Sequence, residues 1–393
     1  MNIIDLFCGC GGLTEGFLTT KKFTTLAIVD WDKPSLETLK NRMKTKWKYE
    51  NVDDISIHFD LQKIDQLQNG FSDETYGISK GLKSIVGKKK VDLIIGGPPC
   101  QAYSIAGRVQ DKNGMKEDYR NFLFESFVKL VDIYKPEAFI FENVMGILSA
   151  KPGDHLITDR IYKAFDKIGY TISDDLRKDA LFDMSYYGIP QERKRVIIYG
   201  VPSEKSEKIN EFYRELRIHK SDEQKNLGRH LDKFTKFKPS KYKDDLFEYK
   251  SIGKNTYINH TPRKHNKRDI EIFRILSEDI ENESFKYVST EAKIKLYKKF
   301  TGRESNFHKH HVLRKDKPSN TIPAHLYKDG LRHIHPDSKQ ARSLTPREAA
   351  AIQTFPDSFQ FLGSQTEQYK MIGNAVPPKF SNLIAKVLLK IHN

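Results

Sequence analysis

Short apolar runs alternate with helical patterns along the first two hundred residues. Five apolar runs have the length of buried strands and are bounded by Gly, Asp or Pro, at residues 3–7, 25–29, 91–95, 138–141 and 196–199. Between them, residues 35–43 and 122–134 carry apolar side chains at helical spacing. Strand and helix in alternation predict an α/β fold with a doubly wound, mainly parallel sheet that is covered by helices on both faces. Such a sheet binds ligands beyond the carboxyl ends of its strands.

Length and composition narrow the class of protein. A chain of 393 residues suggests two domains of roughly 100 to 200 residues each, and 38% hydrophobic residues can build a sizeable core. No run approaches the ~18 apolar residues of a membrane span, and no secretory pattern opens the sequence. Three cysteines, Cys8, Cys10 and Cys100, are too few for a disulfide framework and lack the partners of a metal site. We therefore expect a cytoplasmic protein with no membrane segment, no metal and no regulatory extension.

Positive charge is concentrated in one part of the chain. The net charge is +15, and residues 201–320 hold 29 basic and 19 acidic residues, which accounts for ten of those fifteen charges. Lysines alternate with aromatic residues over 233–243, and a basic run follows at 263–268. A solvated lysine-rich surface is the alternative, but the excess indicates a polyanionic partner, and nucleic acid is the first candidate.

A Gly-x-Gly-Gly loop at 9–12 follows the first strand. Its glycines allow a sharp turn close to a ligand, although such a loop is often no more than a tight turn, and its spacing differs from the dinucleotide fingerprint. Asp30 and Trp31 end the second strand and supply a carboxylate for ribose hydroxyls and a ring for an adenine face. Asp60 and Leu61 follow the next apolar stretch. Together these residues predict an adenosine pocket.

The loop after the strand at 91–95 presents a single thiol. Cys100 follows Pro98 and Pro99, which fix the backbone and deny it regular structure. A lone cysteine is more often a buried packing residue than a nucleophile, but two preceding prolines would be a costly arrangement for mere packing. Cys100 is therefore the predicted nucleophile.

A carboxyl group and two arginines stand at two further strand ends. Glu142 follows the run at 138–141, and Arg193 and Arg195 precede the run at 196–199. By themselves the arginines would be interpreted as a surface cluster. Reaching one crevice from neighbouring strands, the acid and an arginine could bind the polar edge of a planar heterocycle.

These motifs, with two more near the carboxyl end of the chain, resemble those of the cytosine-5 DNA methyltransferases. Six blocks occur in the family's order: the loop at 5–12, Pro-Pro-Cys-Gln at 98–101, Glu-Asn-Val at 142–144, Gln-x-Arg-x-Arg at 191–195, the segment 342–357, and Gly-Asn-Ala-Val-Pro-Pro at 373–378. Cys8 and Cys10 depart from the small or aliphatic residues usual at their positions, and we interpret both as structural.

The resemblance implies S-adenosylmethionine as the methyl donor. The residues expected around it are Phe7, Gly9, Gly11, Asp30, Trp31, Asp60, Leu61, Pro99, Leu123, Asn374 and Ala375. It also implies a discontinuous catalytic domain, 1–203 with 366–393, because the last motif and final helix would fold back onto the first domain. The remaining 204–365 would form a smaller domain whose target-recognition region spans about 204–314.

The chemistry follows from the reactivity of cytosine. Carbon 5 is a poor nucleophile, and addition of the Cys100 thiolate to carbon 6 would make it enamine-like. Glu142 would protonate or hydrogen-bond the ring nitrogen, while Arg195, helped by Arg193, would hold the carbonyl oxygen. Because the reacting atoms lie within the base stack, the cytosine must be flipped out of the duplex.

The resemblance further implies double-stranded DNA as the partner of a prokaryotic modification enzyme that works as a monomer. A restriction nuclease would be its functional pair. Lys264, Lys267, Arg268 and Thr321 are the predicted DNA-binding residues. An RNA methyltransferase of the same fold and a non-catalytic DNA-binding protein are the alternatives. The long basic insertion favours duplex DNA over RNA, and Cys100, Glu142 and Arg195 are all retained, which favours catalysis.

Overall fold

The computed structural model describes residues 1–99, 123–151, 155–303 and 309–392, so Cys100 lies outside the described residues. The chain forms two compact units. The first comprises Met1–Tyr187, Lys194–Asp222 and Ala375–Asn393, and the second comprises Gly188–Arg193 and Glu223–Asn374.

The first unit is an α/β structure. Its strands are β1 (Asn2–Leu6), β2 (Thr24–Asp30), β3 (Ser56–His58), β4 (Phe71–Asp73), β5 (Gly77–Ser79), β6 (Leu93–Gly96), β7 (Ala138–Val144), β8 (Tyr170–Ile172), β9 (Leu181–Asp183) and β10 (Lys194–Pro202). Its helices are α1 (Gly12–Thr19), α2 (Lys33–Thr45), α3 (Val52–Ile55), α4 (Ile64–Asn69), α5 (Leu82–Val86), α6 (Leu123–Tyr134), α7 (Ile157–Lys167), α8 (Leu176–Asp179), α9 (Glu207–Ile218) and the final helix, Pro378–His392. Short 3₁₀ turns lie at Met145–Ser149, Met184–Tyr187 and Ser203–Lys205.

The second unit combines a small sheet with five helices among its described residues. The strands are β11 (Lys236–Lys243), β12 (Leu246–Ile252) and β13 (His265–Asn266). The helices are α10 (Lys267–Glu281), α11 (Thr290–Thr301), α12 (Leu326–Asp329), α13 (Pro346–Ile352) and α14 (Gln365–Asn374), which makes the final helix of the chain α15.

The large sheet of the first unit has the order β3-β2-β1-β6-β7-β10-β8, with β9 also paired to β10. In this sheet β3, β2, β1, β6 and β7 run parallel, whereas β10 is antiparallel to β7, β8 and β9. Strands β4 and β5 form a separate antiparallel pair. Parallel strands are covered on both faces, which is why their sequences are nearly continuous apolar runs. The predicted α/β fold with a mainly parallel sheet is confirmed.

The final helix α15 packs against α1, although more than 350 residues separate them in sequence. A Cβ on Gly12 would lie 2.2 Å from the Val376 carbonyl oxygen, and one on Gly16 would lie 2.3 Å from the Ser381 Cβ. The Asn382 amide also donates to the Gly16 carbonyl oxygen at 3.0 Å. The absence of side chains on these glycines is therefore what allows the two helices to approach so closely.

The unit boundaries differ from the domain boundaries expected at 203 and 366. Helix α9 belongs to the first unit, because Phe212 stacks on Tyr199 of β10 at 4.3 Å and the Tyr213 hydroxyl donates to the Ile197 carbonyl oxygen at 3.0 Å. Helix α14 belongs to the second unit, in which Tyr369 donates to the Leu344 carbonyl oxygen at 2.6 Å.

The basic segment has more regular structure than its sequence pattern indicates. Strands β11 and β12 form an antiparallel hairpin, and β13 pairs with β12. Phe247 and Tyr249 turn toward a cluster built on Phe273 and Leu276 of α10. The opposite face of the hairpin is exposed and rich in lysine, so the segment as a whole lacks a clear hydrophobic period. No helix in the described part of the chain is long and apolar enough to cross a membrane.

Candidate active site

The glycine loop between β1 and α1 adopts a conformation that few other residues tolerate. Gly9 and Gly11 have φ of +52° and +86°, and Phe7 also has a positive φ, of +56°. A Cβ on Gly11 would lie 2.3 Å from a methyl group of Leu39, whereas nothing lies within 4 Å of one on Gly9. The loop is thus packed closely on one side and open at Gly9.

Asp30, at the end of β2, holds this loop in place. Its carboxylate accepts the Gly9 amide at 2.7 Å and the Asp32 amide at 2.7 Å. Only 5% of Asp30 is exposed, and burial raises its pKa to about 6. Asp30 therefore has a structural task in addition to the ribose contact that we expect of it.

The remaining adenosine-pocket residues meet at the same edge of the sheet. Asp30 pairs with His58 in the parallel register of β2 and β3, so Trp31 and Asp60 both follow the carboxyl ends of neighbouring strands. The Trp31 ring is 51% exposed, which is unusual for so large an aromatic side chain. Leu61 is buried, and the Asp60 carboxylate accepts the Gln62 amide at 3.0 Å.

These features fit an adenosyl group. An exposed indole offers a stacking face, Asp30 and Asp60 stand at or just after the ends of neighbouring strands, and the open glycine leaves room for close approach. Pro99 is partly buried and Leu123 is buried, and both border the undescribed residues 100–122. Within the described residues, no group of three or more His, Cys, Asp or Glu side chains could hold a metal ion.

Asp5 and Thr14 form a buried pair that the sequence did not single out. Thr14 donates its hydroxyl to the Asp5 carboxylate and so ties β1 to the start of α1. Asp5 is fully buried, its second oxygen has no hydrogen-bond partner among the described residues, and burial raises its pKa to about 8. Only its place at the start of the glycine-loop motif could have drawn attention to it.

Glu142 and Arg195 form an ion pair in the interior of the first unit. The Arg195 Nε lies 3.0 Å from the Glu142 Oε1, and the two side chains are 13% and 11% exposed. Glu142 is near the end of β7 and Arg195 near the beginning of β10. Because β10 is antiparallel to β7, the start of one strand lies beside the end of the other, and the two groups meet at the ligand-binding edge.

Gly97 and Asn143 lie next to this ion pair and have different effects. A Cβ on Gly97 would lie 2.9 Å from the Glu142 Oε2, so glycine leaves room for the carboxylate. Asn143 is buried and donates its amide to the Pro98 carbonyl oxygen at 3.2 Å. Asn143 thus ties β7 to the loop that leads to Cys100. The predictions did not give Asn143 a role, although it lies within the Glu-Asn-Val motif.

Arg193 lies in a different environment from Arg195. It belongs to the second unit and is fully buried. Its guanidinium donates to the carbonyl oxygens of Ile322 at 3.3 Å and Gly373 at 3.1 Å, and the Gln191 side chain accepts the Ile322 amide at 2.8 Å. Gln191 and Arg193, the first part of the Gln-x-Arg-x-Arg motif, therefore hold the segment around Ile322 by hydrogen bonds.

The other predicted residues are distributed over both units. Thr321 is partly buried and donates its hydroxyl to the Glu192 carbonyl oxygen. Asn374 is exposed at the end of α14 in the second unit, and Ala375 begins the last segment of the first. Lys264, Lys267 and Arg268 are exposed near the start of α10. Cys8 and Cys10 are 7% and 2% exposed, and burial raises the pKa of both thiols.

The model of the C-5 cytosine-specific DNA methylase family matches residues 1–72 and 74–390 of this chain. The chain therefore belongs to that family, and it is an enzyme that methylates carbon 5 of cytosine in DNA. The predicted activity is confirmed, and the RNA and non-catalytic alternatives are not favoured.

Individual relatives align over nearly the whole chain. The type II methyltransferase M.Bpa9945I of Bacillus paralicheniformis is 34% identical, and the alignment covers 100% of this chain and 99% of the relative. M.DdeI of Desulfomicrobium norvegicum is 29% identical, with 98% and 88% covered. A DNA modification methyltransferase encoded within an E. coli prophage has the same fold, with a TM-score of 0.65 at 22% identity and coverage of 100% and 99%.

Proposed function

We propose that this enzyme uses S-adenosylmethionine to methylate one cytosine within a short specific sequence of duplex DNA, with Cys100 as the nucleophile. The observation that carries the assignment is the Glu142–Arg195 pair, held at 3.0 Å at the ligand-binding edge of the sheet. An acid and a guanidinium in contact at this edge support a role in binding the polar edge of a flipped base. Asn143 connects the same edge to the loop that leads to Cys100.

S-adenosylmethionine supplies an electrophilic methyl group when it is bound. Trp31 would stack on the adenine, Asp30 and Asp60 would bind the polar groups of the nucleoside, and the open backbone at Gly9 would admit the donor. The exposure of the Trp31 ring and the space at Gly9 support this assignment. Phe7, Gly11, Leu61, Pro99, Leu123, Asn374 and Ala375 complete the proposed set.

Cys100 would activate the cytosine by adding its thiolate to carbon 6. The electron pair of the carbon 5–carbon 6 double bond then becomes available at carbon 5, which takes the methyl group. Loss of the carbon 5 proton and elimination of the thiol restore the aromatic ring. Prolines before Cys100 limit the freedom of the nucleophile and so favour attack in one orientation.

Glu142 and Arg195 would stabilise the charge that develops as the thiolate adds. A protonated Glu142 can donate to the ring nitrogen, which gains electron density, and Arg195 can donate to the neighbouring carbonyl oxygen. Their mutual contact orients both groups before the base arrives. A general acid of this kind contributes roughly 10²- to 10⁴-fold to the rate.

We assign Arg193 a positioning role, not a contact with the base. Its complete burial and its bonds to the carbonyl oxygens of Ile322 and Gly373 support this assignment. It would hold the segment that contains Thr321, a predicted DNA contact. In this respect the proposal differs from the sequence-based expectation that Arg193 helps Arg195.

The second unit would recognise the target sequence. Its hairpin β11–β12 exposes lysines, and a two-stranded ribbon has dimensions that the major groove admits. Relatives over the full length are named type II methyltransferases, which supports a role in a restriction-modification system. The enzyme would then protect DNA from a paired nuclease in a prokaryotic cytoplasm.

Cys100→Ser tests the mechanism, and we expect it to abolish methyl transfer because a neutral hydroxyl is a far weaker nucleophile than a thiolate. Folding and duplex binding should persist. Bisulfite sequencing of plasmid from cells that express the wild-type protein would give the target sequence and show activity in the same experiment.

Duplex that contains 5-fluorocytosine gives the sharper measurement. Fluorine cannot leave as a proton does, so the thiol adduct should accumulate once the methyl group has been transferred. Peptide mapping after a denaturing gel should place the adduct on Cys100, with Cys8→Ala and Cys10→Ala as matched controls that retain turnover. An adduct on Cys8 or Cys10, or none from an active enzyme, would contradict the assignment.

A further inference from the structure

A cleft in the second unit gathers positive charge that the proposed mechanism does not use. It has a volume of about 370 Å³ and is lined by four cationic side chains, Arg263, Lys264, Arg268 and Lys328. Asp269 is the only acid among the described residues that line it. The cleft lies between the end of the hairpin and the start of α10.

The carboxylate of Asp269 already accepts hydrogen bonds from neighbouring side chains. The Asp269 Oδ1 accepts both Nε and Nη2 of Arg268, at 3.0 and 2.9 Å, and its Oδ2 accepts the Asn266 amide at 3.0 Å. One carboxylate can balance one guanidinium. The charges of Arg263, Lys264 and Lys328 are therefore left unbalanced in the cleft.

These three side chains have no carboxylate partner among the described residues. The Lys264 Nζ lies 3.1 Å from the centroid of the Tyr242 ring, which is a cation–π contact and leaves the charge in place. Arg263 donates its Nη2 to the Leu326 carbonyl oxygen at 3.0 Å, while its buried Nε has no hydrogen-bond partner. Like charges gathered in this way repel each other unless an anion lies between them.

We propose that this cleft binds one phosphate group and that duplex DNA supplies it. Phosphate suits the site because its several acceptor oxygens can bond a guanidinium and two ammonium groups together. The first turn of α10 adds the positive end of a 15-residue helix. The identity of the phosphate source rests on the proposed function, whereas the affinity for phosphate does not.

The test is the salt dependence of duplex binding by Lys264→Gln, Lys328→Gln and the double variant, measured by fluorescence anisotropy. Each lost phosphate contact lowers the log–log slope by about 0.9. If both lysines share one phosphate, the double variant should lose no more than about 0.9 in total. An additive loss near twice that value would overturn the single-phosphate site. Both lysines are exposed, so the fold should tolerate the changes.

Lys299→Gln and Lys339→Gln are the matched controls, since both remove an exposed lysine of the second unit that does not line the cleft. Their slopes should stay close to that of the wild type. Cleft variants that behave like these controls, in an enzyme that still methylates DNA, would overturn the proposal and leave the proposed function intact.

Inorganic phosphate, added without DNA, separates the two sources of the group. At equal ionic strength it should raise the unfolding temperature of the wild type more than chloride does, and the double variant should lose this increment. A lost increment with an unchanged DNA slope would assign the cleft to a free phosphate and overturn DNA as the source. No increment and no change of slope would exclude a phosphate site altogether.

Discussion

The two units differ in how completely they bury arginine. Both units bury aromatic rings to less than 2% exposure: Phe17, Phe59, Phe127, Phe139, Phe141, Phe165, Tyr199 and Tyr213 in the first, and Phe273, Phe359, Phe361 and Tyr369 in the second. Arg193, Arg342 and Arg347 of the second unit are 0% exposed, whereas Arg42 of the first unit is 4% exposed. A buried guanidinium needs protein acceptors for its N–H groups and a partner for its charge. The interior of the second unit therefore depends more on directional bonds.

Arg342 and Glu348 show what such bonds require. The two side chains form a bidentate pair with both N···O distances at 2.7 Å, and neither is more than 1% exposed. Glu348 also caps α13, because its carboxylate accepts the Thr345 amide at 2.8 Å. The nearby Arg342 guanidinium holds the pKa of Glu348 well below its usual range, against the effect of burial. Each partner is costly to remove because the other would remain buried and charged.

The largest expected difference between the units is their response to acid. Burial lowers the pKa of His265, His333 and His335 in the second unit to about 3. These groups take up protons on unfolding below pH 6.5, so the stability of the second unit falls as the pH falls. Between pH 7 and 5 the loss is roughly 2 kcal/mol for each histidine.

The first unit should respond in the opposite direction. Burial raises the pKa of Asp5 to about 8 and of Asp30 to about 6. On unfolding, Asp5 therefore releases a proton below about pH 8 and Asp30 below about pH 6, so the stability of the first unit rises as the pH falls through this range. His392, whose pKa burial lowers to about 4, offsets part of this gain.

Fluorescence of the two tryptophans can separate these responses. Trp31 and Trp47 both lie in the first unit, and the chain has no others. On acidification from pH 7 to 5, the unfolding midpoint followed by circular dichroism should fall first, while the tryptophan midpoint stays or rises. Midpoints that fall together would show that the two units do not differ in this way.

The next largest effect comes from breaking one buried ion pair in each unit. Glu348→Gln leaves Arg342 buried without a counter-charge and should cost about 3 to 5 kcal/mol of stability. Its unfolding should be visible by circular dichroism before the tryptophan signal changes. Glu15→Gln is the matched change in the first unit, where Glu15 accepts from Arg42 at 2.6 Å and from the Trp47 ring nitrogen at 2.9 Å. Glu15→Gln should lower the tryptophan midpoint directly. If Glu348→Gln lowered the tryptophan midpoint and Glu15→Gln did not, the two ion pairs would not stabilise the units in which they lie.

The smallest effect sharpens the description of the active site. Asn143→Ala removes the bond to the Pro98 carbonyl oxygen and should reduce kcat about tenfold, the equivalent of one hydrogen bond of roughly 1.4 kcal/mol. Affinity for the methyl donor and for duplex DNA should be unchanged. Single-turnover kinetics with both affinities measured separately would check this. A loss confined to donor binding would show that Asn143 acts on the adenosine pocket instead.

Much of the first unit could be predicted because the burial of each strand is visible in that strand's own sequence. Buried parallel strands must be apolar, and they end where the ligand edge begins, so Asp30, Trp31 and Glu142 could be located from the pattern alone. The hairpin β11–β12 could not be predicted from the sequence. Few of its side chains are buried, so its hydrophobic pattern is too short and weak to distinguish it from an exposed loop. The partners of buried polar groups, such as Thr14 for Asp5, also depend on contacts between elements.

Arg193 and Arg195 show the limit of what the sequence by itself determines. It determined the order of the motifs, the fold class and the residue types that the chemistry requires, because these follow from periodicity and reactivity. Two residues apart, the arginines would share one face of a strand, but β10 begins at Lys194 and Arg193 precedes it. Arg195 lies opposite Val144 in the register of the sheet, so its side chain shares a face with that of Glu142 and contacts it diagonally, whereas Arg193 bonds to Ile322 and Gly373. Only the tertiary structure could decide this, because the partners of Arg193 lie 129 and 180 residues away in the sequence.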